Sequence, residues 1–242
     1  MSRSTCVPTS EPALVVAVDG PSGSGKSSVS RAVARRFGLR YLDTGAMYRA
    51  LTWWCLEQGV DLTDPAAVVD AMDAMPLEMG TDPAAPSVRV GSVDVGQAIR
   101  QTRVSEQVSA VATNLQVRAR MRDLQRRLIH EASEGIVAEG RDITTVVAPD
   151  ADVRVLLTAT ELTRLQRRAL ELHGHAEESA VAATRDQVVR RDRDDSTVSQ
   201  FVTAADGVRT IDSSSMTFEQ VVDALTELVG SRTGRVPRAG SA

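Results

Sequence analysis

The sequence predicts an α/β fold: a three-layer P-loop domain with a parallel sheet, carrying a small antiparallel insert and a short lid. Three observations predict it. The apolar run Leu14-Val15-Val16-Ala17-Val18 feeds a glycine-rich loop that opens a helix. Further short apolar runs then alternate with longer stretches of helical periodicity, which is how a parallel sheet covered on both faces is built. One segment, 60–103, is broken by Pro65, Pro76, Pro83, Pro86 and several glycines and falls outside that rhythm.

Each element has its own warrant. The run 14–18 is continuously apolar rather than alternating, as a strand buried on both faces requires. A helix is expected over 27–37, because Val29, Ala32, Val33 and Phe37 share one face and Gly38 supplies a stop. Arg40-Tyr41-Leu42-Asp43 is a second short strand, and a helix over 46–57 follows. Within 60–103, Val88-Arg89-Val90 and Val93-Asp94-Val95 alternate about Gly91-Ser92, a hairpin with a two-residue turn. The stretch 104–132 lacks Gly and Pro and repeats Val104, Val108, Val111, Leu115, Met121, Leu124 and Leu128 at helical spacing, so it reads as one long amphipathic helix. Strands are expected at 135–138 and 153–157, helices at 160–172 and 179–192, and a last strand at 208–211. Thr217 with Gln220 three residues on is a capping-box start for the final helix. Residues 1–12 and 231–242 read as loose tails, leaving 13–230 as the folded domain with a lid at about 185–200.

Composition narrows the function. Aromatics are 3% of 242 residues, so a core must be built from Val, Leu, Ala, Ile and Met. A formal charge of −4 argues against a nucleic-acid-binding protein. Cys6 and Cys55 form no C-x-x-C pair, which speaks for free thiols in a reducing cytoplasm rather than a disulfide framework or zinc site. No apolar stretch reaches membrane-spanning length, and the first residues lack a secretory pattern. His130, His173 and His175 sit in polar surroundings and read as surface residues.

The strongest motif is Gly20-Pro21-Ser22-Gly23-Ser24-Gly25-Lys26-Ser27, which fits G-x-x-x-x-G-K-[ST] in full and continues through Ser28 into the helix. Its glycines let backbone N–H groups crowd round phosphates, and the helix N-terminus favours an anion. Lys26, the chain's single lysine, reaches the β- and γ-phosphates of ATP, and the Ser27 hydroxyl ligates Mg²⁺. A Gly/Ser-rich turn is the alternative, but here a buried strand precedes the motif and an amphipathic helix follows it.

Three further clusters address the phosphate acceptor. Asp43-Thr44-Gly45-Ala46-Met47-Tyr48-Arg49 follows a strand end, where ligands sit in such sheets. Taken alone, a capped helix start explains it equally well. Glu139 in Glu139-Gly140-Arg141-Asp142 stands like a Walker B acid after an apolar strand. Arg190-Arg191-Asp192-Arg193-Asp194-Asp195 is either a solvated helix end or an arginine-rich lid.

Together these pieces, with Ile99-Arg100 and Ile143-Thr144-Thr145-Val146-Val147, resemble bacterial cytidylate kinases of the nucleoside monophosphate kinase superfamily, in the family's order over roughly 13–229. The resemblance implies that 60–103 binds the monophosphate. It implies that Thr44, Asp142 and Arg118 read the cytosine, that Ser109, Arg191 and Asp195 hold the sugar, and that Arg49 and Arg141 grip the acceptor phosphate, with Tyr48 in the same pocket. It implies Lys26, Arg141 and Arg191 as catalytic groups, ATP and CMP or dCMP as partners, Mg²⁺ as cofactor, and a cytoplasmic monomer without nucleic-acid or membrane partners. Two departures stand out. After Asp195-Ser196-Thr197 the family usually has an arginine and a Ser-Pro-Leu-like run, whereas this chain has Val198-Ser199-Gln200-Phe201, leaving Arg193 as the candidate substitute. Glu139 occupies a position that is often Asp. The alternatives are another small-molecule P-loop kinase, or an NTP-hydrolysing switch that needs no acceptor.

Overall fold

The computed structural model describes residues 13–175 and 177–238. Its main sheet is built from β1 (Val15–Asp19), β2 (Arg40–Asp43), β6 (Ile136–Gly140), β7 (Val153–Thr158) and β8 (Arg209–Asp212), in the order β2-β6-β1-β7-β8. All four pairings are parallel, so every strand ends on the same edge. The helices α1 (Lys26–Phe37) and α8 (Phe218–Thr233) cover one face, where Val29, Val33 and Phe37 meet Val221, Leu225 and Val229. The other face is covered by α2 (Thr44–Glu57) and α5 (Leu115–His130), through Met47, Leu51, Val117 and Met121. These buried side chains are almost all aliphatic, and each contributes on the order of 1.5–3 kcal/mol by leaving water.

Between them, α3 (Pro65–Ala74) precedes an antiparallel sheet of β3 (Leu77–Met79), β4 (Val88–Val90) and β5 (Val93–Asp94). The expected hairpin is there, with Gly91 at φ 58 in its turn. The third strand was not foreseen: Leu77-Glu78-Met79 is too short to show a period, and its pairing with Val88–Val90 defines it. Trp53 and Trp54 of α2 pack beneath this sheet.

The expected single helix over 104–132 is two, α4 (Thr102–Ala112) and α5. Asn114 breaks it: its side chain accepts from the N–H groups of Gln116 and Val117, capping α5, while its amide donates to the Pro65 carbonyl. Helical periodicity continues across such a cap, so the pattern alone cannot show the break. Strand β6 runs two residues beyond its expected end and buries Glu139 at 2% exposure. The helices α6 (Glu161–His173) and α7 (Glu178–Ser196) follow, α7 running four residues past its expected end at 192 and covering most of the segment expected as a lid. Helix α8 continues to Thr233, past the boundary at 230, and the backbone N–H of Arg238 then donates to Arg36 O at 2.7 Å. The tails 1–12 and 239–242, and the readings made of Cys6 and of the His173 side chain, lie outside the described residues.

Candidate active site

Parallel strands put β1, β2 and β6 end to end with one crevice, and the loop after each contributes to it. The resulting cleft has a volume of about 1040 Å³. Nine Lys and Arg residues line it against five Asp and Glu, in a chain whose formal charge is −4.

The loop after β1 forms its floor. Gly23 lies at φ 77, and a Cβ there would stand 2.5 Å from the Arg164 carbonyl oxygen, so only glycine fits. Lys26 folds back with Nζ 3.3 Å from Pro21 O, and burial lowers its pKa while Glu139 opposes that shift. Ser27 Oγ donates to Glu139 Oε1 at 2.6 Å, and Tyr41 OH donates to the same oxygen at 3.0 Å. These two hydroxyls explain how a carboxylate is tolerated inside a strand. Burial and the nearby Asp43 push the Glu139 pKa up, with Lys26 pulling the other way. For Asp43, burial alone would raise the pKa, but Arg49 at 2.9 Å, the Ala46 N–H, Arg100 and Lys26 together hold it low.

Loop residues after β6 form one wall. Asp142 contacts Arg118 Nη2, whose other terminal nitrogen donates to Ala112 O at 3.2 Å. Burial raises the Asp142 pKa against the pull of Arg118. The turn behind it is fixed by Asp19, which accepts from the N–H groups of Ile143 and Thr144 at 2.8 Å each and from Thr144 Oγ1. Burial pushes the Asp19 carboxyl up to about 6 despite these donors. Thr44 Oγ1 donates to Glu139 O at 2.8 Å, and the residue lines the cleft. Burial raises the Tyr48 phenol to about 12.

The opposite wall is arginine-rich. Arg141 Nη2 donates to Asp192 at 2.8 Å, its Nη1 contacts Asp195, and its guanidinium carbon lies 4.8 Å from the Phe201 ring centre. Arg191 Nε is 3.7 Å from Asp195, too far for a hydrogen bond. The buried Nε atoms of Arg49, Arg141 and Arg191 all lack an acceptor. Burial, and then the charges of Arg141, Arg49 and Arg168, drive the Arg191 pKa well below its ordinary value. Three guanidinium groups lining the same cleft thus each keep an Nε donor without an acceptor among the described residues, although Arg49 and Arg141 already pair with carboxylates through their terminal nitrogens.

Of the residues expected at the site, Ser22 to Ser28, Thr44, Tyr48, Arg49, Arg118, Arg141, Asp142, Arg191 and Asp195 line this one cleft. Gly20 and Pro21 shape the loop from behind, a side chain at Gly20 being blocked by the Leu157 carbonyl. Ser109 does not line the cleft; Ser105, one helical turn earlier on α4, does. Arg193, the candidate substitute for the lid arginine, is 77% exposed and lies 3.7 Å from Asp194.

Sequence reasoning did not assign four contributors. Arg164 and Arg167 of α6 donate to the loop carbonyls of Ser22 and Ser24 at 2.9 and 3.2 Å. Asp192 accepts from the Ser22 N–H and from Arg141 and Arg164, joining α7 to the loop after β1. Ser199 accepts from Arg118. The i, i+3 arginines at 164 and 167 were the available signal. His130 and His175 are exposed, as expected, and neither lines the cleft. Among the described residues no cluster of His, Cys, Asp and Glu could hold a metal without help from a ligand.

Comparison with known proteins agrees over most of the chain. The family model described as cytidylate kinase matches residues 16–231. A cytidylate kinase from Streptomyces avermitilis is 46% identical over 90% of this chain and 93% of its own length. One from Rhodococcus jostii is 50% identical over 91% and 96%. Among solved structures, an uncharacterized protein from Eubacterium ventriosum shares the fold, with a TM-score of 0.50 and 13% identity over 90% of this chain and 99% of that one.

Proposed function

The chain belongs to the cytidylate kinase family, and from that premise we propose that it transfers the γ-phosphoryl group of ATP to CMP or dCMP, releasing ADP and CDP or dCDP. The observation that carries the site assignment is the trio of buried, acceptor-less Nε atoms on Arg49, Arg141 and Arg191, set between the phosphate loop and the Arg118–Asp142 wall. Two anionic substrates meeting there would supply the missing acceptors.

The residues divide the work as follows. Amides of 22–28 and Lys26 hold the triphosphate. Ser27 Oγ and the Glu139 carboxylate, 2.6 Å apart, are hard oxygen donors of the kind Mg²⁺ takes beside phosphate oxygens, and the two fit that ion. When bound, the ion neutralises charge on the β- and γ-phosphates. Arg49 and Arg141 orient the acceptor phosphate, Arg191 and Asp195 the sugar, and Thr44, Tyr48, Arg118 and Asp142 enclose the base. A phosphate monoester has a second pKa of about 6, so the attacking oxygen is already anionic at neutral pH and no general base is required. This suits a cleft without a histidine. Catalysis then consists of alignment and of stabilising spread negative charge by Lys26, Arg141 and Arg191.

We also take the protein to act as a cytoplasmic monomer with no nucleic-acid or membrane partner. No helix among the described residues is long and apolar enough to cross a membrane. The deciding experiment measures ADP release with ATP and Mg²⁺, with and without CMP. Release that depends on CMP supports the proposal; equal release without it refutes the kinase reading and favours an acceptor-independent hydrolase.

A further inference from the structure

The strap after α7 is where this chain departs from its family's usual pattern, and it touches both halves of the acceptor site. Ser199 Oγ accepts from Arg118 Nη2 at 2.8 Å. Two residues on, Phe201, 1% exposed, places its ring against Arg141. Arg118 is therefore held from three directions: by Ala112 O at the end of α4, by Asp142 after β6, and by Ser199. Of these three, Ser199 alone comes from the lid side. Its side chain also lines the cleft, so its hydroxyl stands beside the space a base would fill.

The chemistry of base selection makes this contact matter. Cytosine offers an amino donor and an unprotonated ring nitrogen, whereas uracil offers a carbonyl oxygen and an N–H in the same places. A carboxylate paired with a guanidinium matches the first pattern and opposes the second, but only while both planes are fixed. A guanidinium presents its donors in a rigid fork, so anchoring a further corner fixes its plane. With Ser199 removed, the Arg118 fork can pivot about its contact with Asp142.

We propose that Ser199 is a positioning residue for base selection: through Arg118 it makes discrimination between cytosine and uracil depend on the lid lying over the cleft. The inference rests on the reading in which Arg118 and Asp142 face the base. The acceptor-reading residues then span two bodies of the molecule, and selectivity is complete only in the closed arrangement.

The test compares kcat/KM for CMP and UMP in the full-length protein and five variants. Ser199→Ala should reduce the CMP-to-UMP ratio about tenfold, chiefly through a higher KM for CMP, because a hydrogen bond to a charged group is lost. Ser199→Thr, which keeps the hydroxyl, should restore the ratio. Thr197→Ala, which removes an exposed lid hydroxyl bonded to Asp194 O, should leave it unchanged. Arg118→Met should collapse the ratio, and Ser199→Ala added to it should have no further effect. If Arg118→Met collapses the ratio but Ser199→Ala does not alter it, the role of Ser199 is refuted and the base-reading assignment survives. If Arg118→Met leaves the ratio intact, that assignment falls and takes this inference with it. Equal losses for CMP, UMP and ATP in Ser199→Ala would mean a general effect on the lid and would also overturn the proposal.

Discussion

Replacing Arg191 with methionine should make the nucleotide-free protein more stable while destroying its activity. The Arg191 side chain is 18% exposed, its Nε has no acceptor, and its pKa is driven far below the ordinary value by burial and by the charges of Arg141, Arg49 and Arg168. The compensating attraction to Asp195 acts across 3.7 Å, on the order of 4–5 kcal/mol at an effective dielectric near 20. Asp195 is shared with Arg141, so this attraction is not lost cleanly when Arg191 is removed. The downward direction of the shift says that the unfavourable terms exceed the favourable one. An orphaned donor on a charged group costs about 1–3 kcal/mol, so a net relief of about 1–2 kcal/mol is expected. For a chain of this size that corresponds to a rise in Tm of about 2–8 °C. Loss of an arginine that stabilises the transition state should lower kcat by about 10³ or more. Thermal unfolding in phosphate-free buffer and a coupled ADP assay read the two effects. Adding phosphate should stabilise the wild type more than the variant, since the anion binds only the folded state. A lower Tm for Arg191→Met without nucleotide would refute the claim that these guanidinium groups are held under-neutralised.

Other expectations follow from the same geometry. Lys26→Ala should lower kcat by about 10³ while the circular dichroism spectrum is unchanged, and near-normal turnover would refute the loop assignment. Glu139→Gln keeps the shape and removes the charge, so the Mg²⁺ concentration for half-maximal activity should rise about tenfold; an unaltered Mg²⁺ dependence would show that Ser27 and Glu139 do not hold the ion. Cys55 is 0% exposed, and burial pushes its thiol up to about 11, so it stays protonated and enclosed at pH 8. In a Cys6→Ser background it should resist a thiol reagent until denaturant is added, and immediate labelling of the native protein would contradict its burial.

The sequence disclosed whatever is local. A continuous apolar run ending in a glycine-rich loop identified β1, the loop and α1 together, since their signals are adjacent and each requires the next. The hairpin about Gly91 and the Thr217–Gln220 cap were legible for the same reason. What escaped depended on distant partners. Strand β3 exists because Val88–Val90 pairs with it, and nothing in Leu77-Glu78-Met79 announces that. Glu139 looked like the residue after a strand because a buried acid is costly; Ser27 and Tyr41, over 90 positions away, supply the hydrogen bonds that let it stay. The division of 104–132 into two helices escaped because a periodic pattern cannot show that Asn114 caps one helix and ends another. Asp192 and Ser199 were invisible as contributors, since their roles lie entirely in contacts with Ser22, Arg141 and Arg118.

The choice of cations in the cleft follows from what each can match. One lysine in the loop supplies a compact charge where backbone amides already give direction, and arginine forks serve wherever shape must be matched. Those forks are only partly answered from within the protein. Asp192 and Asp195, both carried by the lid helix, engage Arg141, and Asp192 also takes an amide of the phosphate loop. Yet the Nε donors of Arg49, Arg141 and Arg191 remain without acceptors among the described residues, and the charges of Arg141, Arg49 and Arg168 bear on Arg191. Those donors come from three separate elements, α2, the loop after β6 and α7, so a phosphate that bound all three would hold these elements together.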